Sequence, residues 1–91
     1  MTQIAMNDYD KSDKILNSTY KNLMNLLDDK YKQKLISTQK QWIKFRDSNC
    51  QFEASQFEGG TIQPLIKYTC LQTITEQRIE NLNQSINSWN H

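Results

Sequence analysis

The chain has 91 residues, of which 36% are hydrophobic, and a net charge of +1 from 11 basic and 10 acidic side chains. A chain of this length forms one small domain with a marginal core, and it has no apolar run long enough to span a membrane. The balanced charge also lacks the strongly basic face that nucleic-acid binding requires.

The first predicted helix covers about residues 3–28. Its side chains repeat in alternating steps of four and three, the seam of an antiparallel bundle: Tyr9, Asp13, Leu16, Tyr20, Leu23 and Leu27. Two glycines and one proline disfavour an all-β fold, which needs many turns. Two cysteines in a short chain fit an oxidising compartment, but Met1 opens directly onto this helix without the charged and apolar regions of a signal peptide. We therefore expect a signal peptide to have been removed. A cytoplasmic protein with two free thiols is the alternative.

The second predicted helix covers about residues 30–57. The link before it is so short that a tight hairpin and a continuous, kinked helix both remain open. One row of side chains repeats every seven residues: Ile36, Ile43, Cys50 and Phe57. A neighbouring row contains Trp42, Phe45 and Phe52. Two apolar rows predict burial over a wide arc, so we expect this helix to lie between the other two, with Phe45 and Phe52 in the core.

The segment Glu58-Gly59-Gly60-Thr61 is the clear break in the pattern. Gly59 can supply a left-handed cap, and Pro64 fits the first turn of the next helix. The third predicted helix covers about residues 62–87, and the tail 88–91 is expected to fray. We therefore predict an all-α, antiparallel three-helix bundle that forms a single domain over residues 1–91.

The two cysteines lie about two turns on either side of this break. If helices two and three form an antiparallel hairpin, Cys50 and Cys70 are level, and a disulfide between them stabilises the fold by roughly 3 kcal/mol. Two small, buried free thiols are the alternative. A metal site is disfavoured because the single histidine is His91, in the tail. No cofactor is expected.

Polar side chains interrupt the apolar seams. Gln39, Arg46 and Glu53 repeat every seven residues on the second helix, and the full set is Asp13, Asn17, Gln39, Arg46, Asp47, Asn49, Glu53 and Arg78. We expect a structural network in which Arg46 and Arg78 pair with carboxylates such as Asp13 and Glu53, because an unpaired buried arginine is costly. The alternative makes Asp13 and Glu53 a general acid/base pair. Without a pocket, a metal or a histidine, we favour the structural reading and expect no enzyme.

The break between helices two and three is also the candidate partner-binding site, because loops on rigid scaffolds often carry binding residues. Its residues are Phe57, Glu58, Gly59, Gly60, Thr61 and Tyr68, with Trp89 as a further exposed anchor. A helix cap with no other role is the competing interpretation. The protein is expected to be a monomer, or a homodimer formed through Tyr68 or Trp89.

The order of these residues resembles one known family. Leu16-Asn17, Tyr20 and Leu23 are followed by the run from Ser37 to Cys50, which contains Gln39, Trp42, Arg46 and Asp47. Gly59-Gly60, Cys70, Thr75, Arg78 and Leu82 complete the series. Over nearly the whole chain, this series is similar to the LprI-type lysozyme-inhibitor N-terminal-like domain, found in small secreted or lipoprotein-borne bacterial proteins. Members often carry further cysteines near the N-terminus, and residues 1–13 here contain none.

The resemblance implies a helical domain with disulfides in the periplasm or at the cell surface. In the family's founding example it implies inhibition of lysozyme. We therefore expect a non-catalytic binding protein that inhibits a lysozyme-like peptidoglycan hydrolase, either a host lysozyme or a bacterial cell-wall toxin against which it confers immunity. The near-neutral charge counts slightly against a strongly basic target. An envelope interaction module without inhibitory activity is the alternative.

Overall fold

A computed structural model describes residues 1–90 of the chain and confirms an all-α fold of three helices. Helix α1 spans Thr2–Met24, α2 spans Asp29–Ala54 and α3 spans Gln63–Trp89, with a 3₁₀ turn at Ser55–Phe57 between α2 and α3. Ser88 and Trp89, expected in a frayed tail, are instead the last two residues of α3. His91 lies outside the described residues. No helix within these limits combines the length and the hydropathy needed to cross a bilayer.

The first two helices are separate, and the short link between them forms a hairpin. The Leu26 N–H donates to the Leu23 carbonyl at 3.0 Å, and the Leu27 N–H donates to the Met24 carbonyl at 3.1 Å. Extended backbone at Asp28 then starts α2 in a new direction. The bonds tighten the last turn of α1, as i to i+3 bonds do at helix ends.

The bundle is an elongated rod of 49 × 21 × 15 Å. One end, called the tip below, holds the α2–α3 turn (residues 55–62) and the start of α1. The other end, called the base, holds the α1–α2 link (residues 25–28). The Tyr9 and Tyr68 rings lie 6.2 Å apart near the tip, so α1 and α3 run in the same direction and α2 runs against both.

Helix α3, and not α2, lies in the middle of the bundle, because it packs along both other helices while α1 and α2 face each other across a cleft. The expected central position of α2 is therefore wrong. The buried side chains of α2 form a narrow stripe: Gln39, Arg46, Cys50 and Ala54. Phe45 and Phe52, expected in the core, are 58% and 70% exposed, because these two side chains point away from α3, whereas Trp42 of the same row packs against the core.

The apolar core lies towards the base, where Leu16, Leu23 and Leu27 of α1 pack with Leu82 of α3. Half-buried Leu35 and Trp42 of α2 pack against this cluster. Burying a leucine side chain contributes about 1.5–3 kcal/mol, so this cluster supplies much of the hydrophobic stabilisation. Near the tip the buried side chains are smaller and more polar, including Ser12, Cys50, Ala54 and Thr75.

The α2–α3 turn depends on its two glycines. Gly59 has a φ of +79°, a left-handed conformation that costs other residues roughly 1–2 kcal/mol. A Cβ on Gly60 would lie 3.1 Å from the Phe57 carbonyl oxygen. The turn therefore fixes how α3 returns along α2.

Candidate functional site

A disulfide joins α2 to α3 just below the tip. Cys50 and Cys70 are bonded with their Cα atoms 5.5 Å apart, and Cys50 is fully buried. The bond closes a loop of 20 residues that contains the whole tip turn. The prediction of a disulfide between helices two and three is confirmed, and the alternative of two free thiols is excluded.

Arg46 is the most connected polar side chain of the molecule's interior. Its Nε donates to the Asp47 carboxylate at 3.0 Å, and its Nη1 lies 3.5 Å from both the Asp13 carboxylate and the Thr75 hydroxyl. The guanidinium carbon lies 5.5 Å from the Tyr9 ring and 5.0 Å from the Trp42 ring, within the range of cation–π attraction. Arg46 therefore connects all three helices.

Arg78 has a different partner from the one expected. Its Nε donates to the Gln39 side-chain oxygen at 3.0 Å, and its guanidinium carbon lies 5.8 Å from the Trp42 ring. Burial lowers the pKa of Arg78. A carboxylate partner for Arg78 was expected, and the structure supplies an amide instead.

Glu53 takes no part in this network. Its carboxylate accepts from the Gln56 amide at 3.2 Å, close to the tip. Gln39 lies 14 residues earlier on α2, which corresponds to about 21 Å along a helix. Glu53 is therefore too far along the rod to reach Arg78, and the expected pairing of Glu53 with an arginine is not formed.

A cleft of about 380 Å³ separates α1 from α2. Its walls are mixed polar and apolar: Tyr9, Asp13, Leu16, Asn17, Tyr20, Ile36, Gln39, Lys40, Ile43 and Arg46. Asn17 is exposed at this cleft. Asp13 is engaged with Arg46, and Glu53 lies outside the cleft, so the two carboxylates proposed as an acid/base pair have separate surroundings.

The candidate partner-binding residues lie together at the tip. Residues 55–62 are all exposed, and Phe57 shows 38% of its surface. Tyr68 is half-buried against Tyr9 and lines a groove of about 420 Å³ with Pro64, Lys67 and Gln51. Trp89 lies at the base, where its ring packs 5.1 Å from that of Tyr31. The tip therefore presents one exposed aromatic side chain on a turn held by a disulfide.

Charge is segregated along the rod, a feature that net charge alone conceals. The half that contains the tip, residues 1–13 and 46–72, carries six acidic and three basic side chains. The remaining described residues, 14–45 and 73–90, carry four acidic and eight basic side chains. The sequence indicates this charge segregation, because no acidic residue occurs between Lys30 and Arg46. The parallel packing of α1 against α3 was needed to place the acidic start of α1 at the tip.

The described residues offer surfaces for binding and no evident catalytic centre. Within residues 1–90, no three His, Cys, Asp or Glu side chains converge closely enough to hold a metal ion.

Burial raises the pKa of Tyr9, and the neighbouring Arg46 charge opposes that rise. Each buried side-chain nitrogen or oxygen in this part of the chain has a hydrogen-bond partner, which is the pattern of a stable scaffold.

Comparison with known proteins places these observations in one family. Residues 1–82 match the family model described as "Lysozyme inhibitor LprI". The chain is also similar to an uncharacterized protein of Rhizobium meliloti (strain 1021), with 26% identity over 97 residues, covering 92% of this chain and 70% of that protein. No solved structure matches the chain.

Proposed function

Because this chain belongs to the LprI family of lysozyme inhibitors, we propose that it is a non-catalytic periplasmic or secreted protein that blocks the cleft of a lysozyme-like peptidoglycan hydrolase. The family match over residues 1–82 is the observation that carries this proposal. The family consists of inhibitors, so the protein acts by binding. The disulfide is consistent with an oxidising, extracytoplasmic location.

The tip is the part of the molecule best shaped to enter a cleft. The rod is only 21 × 15 Å in its two short dimensions, and the tip turn exposes Phe57 and Glu58 at its end. The Cys50–Cys70 bond constrains both helices that carry the turn. A loop ordered before binding loses less entropy on complex formation, which favours affinity.

The acidic excess at the tip suits a cationic hydrolase. Glu53 and Glu58 lie on or beside the turn, and Asp47 lies two turns below Glu53 on α2. Complementary charge accelerates encounter between partners and orients them. The small net charge of the whole chain therefore does not count against a basic lysozyme, since the surface offered to that enzyme is acidic.

Two biological settings fit this mechanism. The target can be a host lysozyme, or it can be a bacterial cell-wall toxin against which the protein confers immunity. An adjacent gene for a secreted hydrolase would favour immunity. The competing function is an envelope interaction module without inhibitory activity, and a fused larger envelope domain would favour it.

The test is cell-wall lysis by a panel of muramidases and other peptidoglycan hydrolases, with and without excess oxidised protein. We expect dose-dependent inhibition of one enzyme class and a stoichiometric complex on size exclusion. Glu58→Lys should weaken inhibition at least about tenfold, because like charges at an interface are repulsive. The matched control Glu80→Lys makes the same charge change on an exposed residue of α3 outside the tip half and should inhibit like the wild type.

Three results would contradict parts of this proposal. No inhibition and no complex across the panel would favour the envelope module. Inhibition that survives both Glu58→Lys and Phe57→Ala would place the inhibitory surface away from the tip. Equal losses for Glu58→Lys and Glu80→Lys would show that only overall charge matters.

A further inference from the structure

One outward face of α2 combines lysines with exposed phenylalanines, and the contact recorded for it is the Lys30 ammonium 5.6 Å from the Tyr31 ring centroid. We call it the basic–aromatic face and define it as Lys30, Lys34, Lys44, Phe45 and Phe52. We propose that this face binds the surface of an anionic phospholipid bilayer. The proposal stands independently of hydrolase inhibition, because it uses a surface of the rod outside the tip turn.

The five residues share one side of the helix by their spacing. Lys30 and Lys44 are 14 residues apart, and Phe45 and Phe52 are seven apart, so each pair is nearly aligned along α2. Lys34 and Phe45, 11 residues apart, are offset by only about 20°. The face runs along about 33 Å of helix, from Lys30 to Phe52. It is long enough to lie along a planar surface.

This face exposes two large aromatic side chains of α2. Phe45 is 58% exposed and Phe52 is 70% exposed, although α2 buries Cys50 and Ala54 only a few residues away. The three lysines are also exposed. The residues between them on the same side are small or neutral: Ser37, Gln41 and Ser48. Two phenylalanines thus remain in water in a chain whose apolar core is small.

Charge on this face is of one sign. The stretch from Lys30 to Arg46 contains no acidic side chain. The ion pairs formed within residues 1–90 involve Arg46, Asp13 and Asp47, and none involves the lysines of this face. Uncompensated lysines attract anionic lipid headgroups at close range. The surface complementary to this face is therefore negatively charged.

The phenylalanines distinguish a bilayer from a soluble polyanion. Soluble polyphosphate satisfies lysines but offers nothing apolar to a phenylalanine ring. At the boundary between headgroups and acyl chains, phenylalanine is buried in an apolar layer while neighbouring lysines reach the phosphates. A helix that presents both residue types on one side matches this boundary. With α2 lying along the membrane, the turn residues Phe57 and Glu58 remain at the end of the rod.

The experiment is co-sedimentation of the full chain with phosphatidylcholine vesicles and with vesicles containing phosphatidylglycerol, at low and high salt. We expect binding to the anionic vesicles that weakens with salt, and little binding to phosphatidylcholine alone. The variant K30Q/K34Q/K44Q should lose at least about tenfold in binding. The variant F45S/F52S should lose severalfold while keeping the wild-type circular dichroism spectrum, because both side chains are exposed.

The matched control is K11Q/K14Q/K21Q, which removes the same charge from exposed lysines of α1 and should bind within about twofold of the wild type. Equal losses in the two lysine variants would overturn the proposal, as would wild-type binding that does not depend on lipid charge. Undiminished vesicle binding by F45S/F52S, with equally tight binding to soluble polyphosphate, would identify a polyanion site and also overturn it.

Discussion

Arg46 shows how a polar residue can occupy the interior of so small a bundle. The guanidinium is stacked near two aromatic rings, and its carboxylate partners Asp13 and Asp47 keep 40% and 57% of their side chains exposed. The carboxylates therefore remain largely hydrated while they neutralise the arginine, which lessens the desolvation that makes buried ion pairs unfavourable. Arg46 thereby holds α1 to α2 across the cleft, where backbone packing between these helices is sparse.

Tyr9, beside Arg46, makes the free energy of unfolding depend on pH in the alkaline range. Burial raises the pKa of Tyr9 above the ordinary value of 10.0, so the folded chain keeps this proton where the unfolded chain releases it. The free energy of unfolding must then fall as pH rises above about 10. We expect Tyr9→Phe to reduce this fall by less than about 1 kcal/mol, because the ring is only half-buried.

Urea unfolding at about pH 8 and about pH 10.5 measures the effect. The control Tyr31→Phe, at the base of the rod, should keep the wild-type dependence on pH. An identical alkaline loss in Tyr9→Phe and the wild type would show that another group is responsible.

The hairpin of α2 and α3 is the element that carries the proposed binding surface. Its turn requires Gly59 in a left-handed conformation, and its two helices are linked by the disulfide below that turn. Both features restrict the tip before any partner arrives. Stability and preorganisation therefore have the same origin in this element.

Replacing both cysteines by alanine measures how much the disulfide stabilises this element. A closed loop of 20 residues predicts that Cys50→Ala/Cys70→Ala lowers the free energy of unfolding by about 3 kcal/mol in the chain-entropy model. The variant should stay helical at moderate temperature, because the leucine cluster lies towards the base. Chemical denaturation measures the loss, and wild-type protein under reducing conditions provides the matched comparison. A loss below about 1 kcal/mol would show that the reduced hairpin is already constrained.

The sequence was sufficient to predict the α2–α3 hairpin and insufficient to predict which helix lies in the middle of the bundle. Cys50 and Cys70 flank one clear break at similar distances, so an antiparallel turn places them level. The burial of Gln39 and Arg46 agrees with their seven-residue spacing, whereas Glu53, at the same spacing, is not buried. Phe45 and Phe52 were wrongly expected in the core. Helix α2 has two adjacent apolar rows, and periodicity alone does not say which side chains contact a neighbouring helix. That choice depends on where α3 packs, which is a property of the whole bundle.

On the scale of the whole molecule, the unequal distribution of charge gives the rod a direction. The tip half is acidic and the other half is basic, although the net charge is only +1. Surface charges act over about 10 Å at 0.1 M salt. A partner therefore interacts electrostatically with one end of the 49 Å rod at a time. Net charge is therefore a poor guide to what this protein attracts.

Association with a cationic hydrolase should accordingly depend on salt. Raising ionic strength from about 0.02 M to about 0.5 M should slow complex formation by roughly tenfold or more, since screening removes electrostatic steering. Stopped-flow fluorescence measures the rate. Glu58→Lys should flatten the salt dependence, and Glu80→Lys should preserve it. A rate that does not change with salt would indicate a target that is not recognised through its positive charge.

The parallel packing of α1 against α3 has a consequence for the order of folding. Ser12 donates to Glu76, a contact between residues 64 positions apart, whereas the α2–α3 hairpin is closed by a bond across 20 positions. Contacts that close short loops form at lower entropic cost than distant ones. We therefore expect the hairpin to form first and to serve as the template on which α1 docks. A chain that folds under oxidising conditions would then acquire its covalent bond before its hydrophobic core is complete.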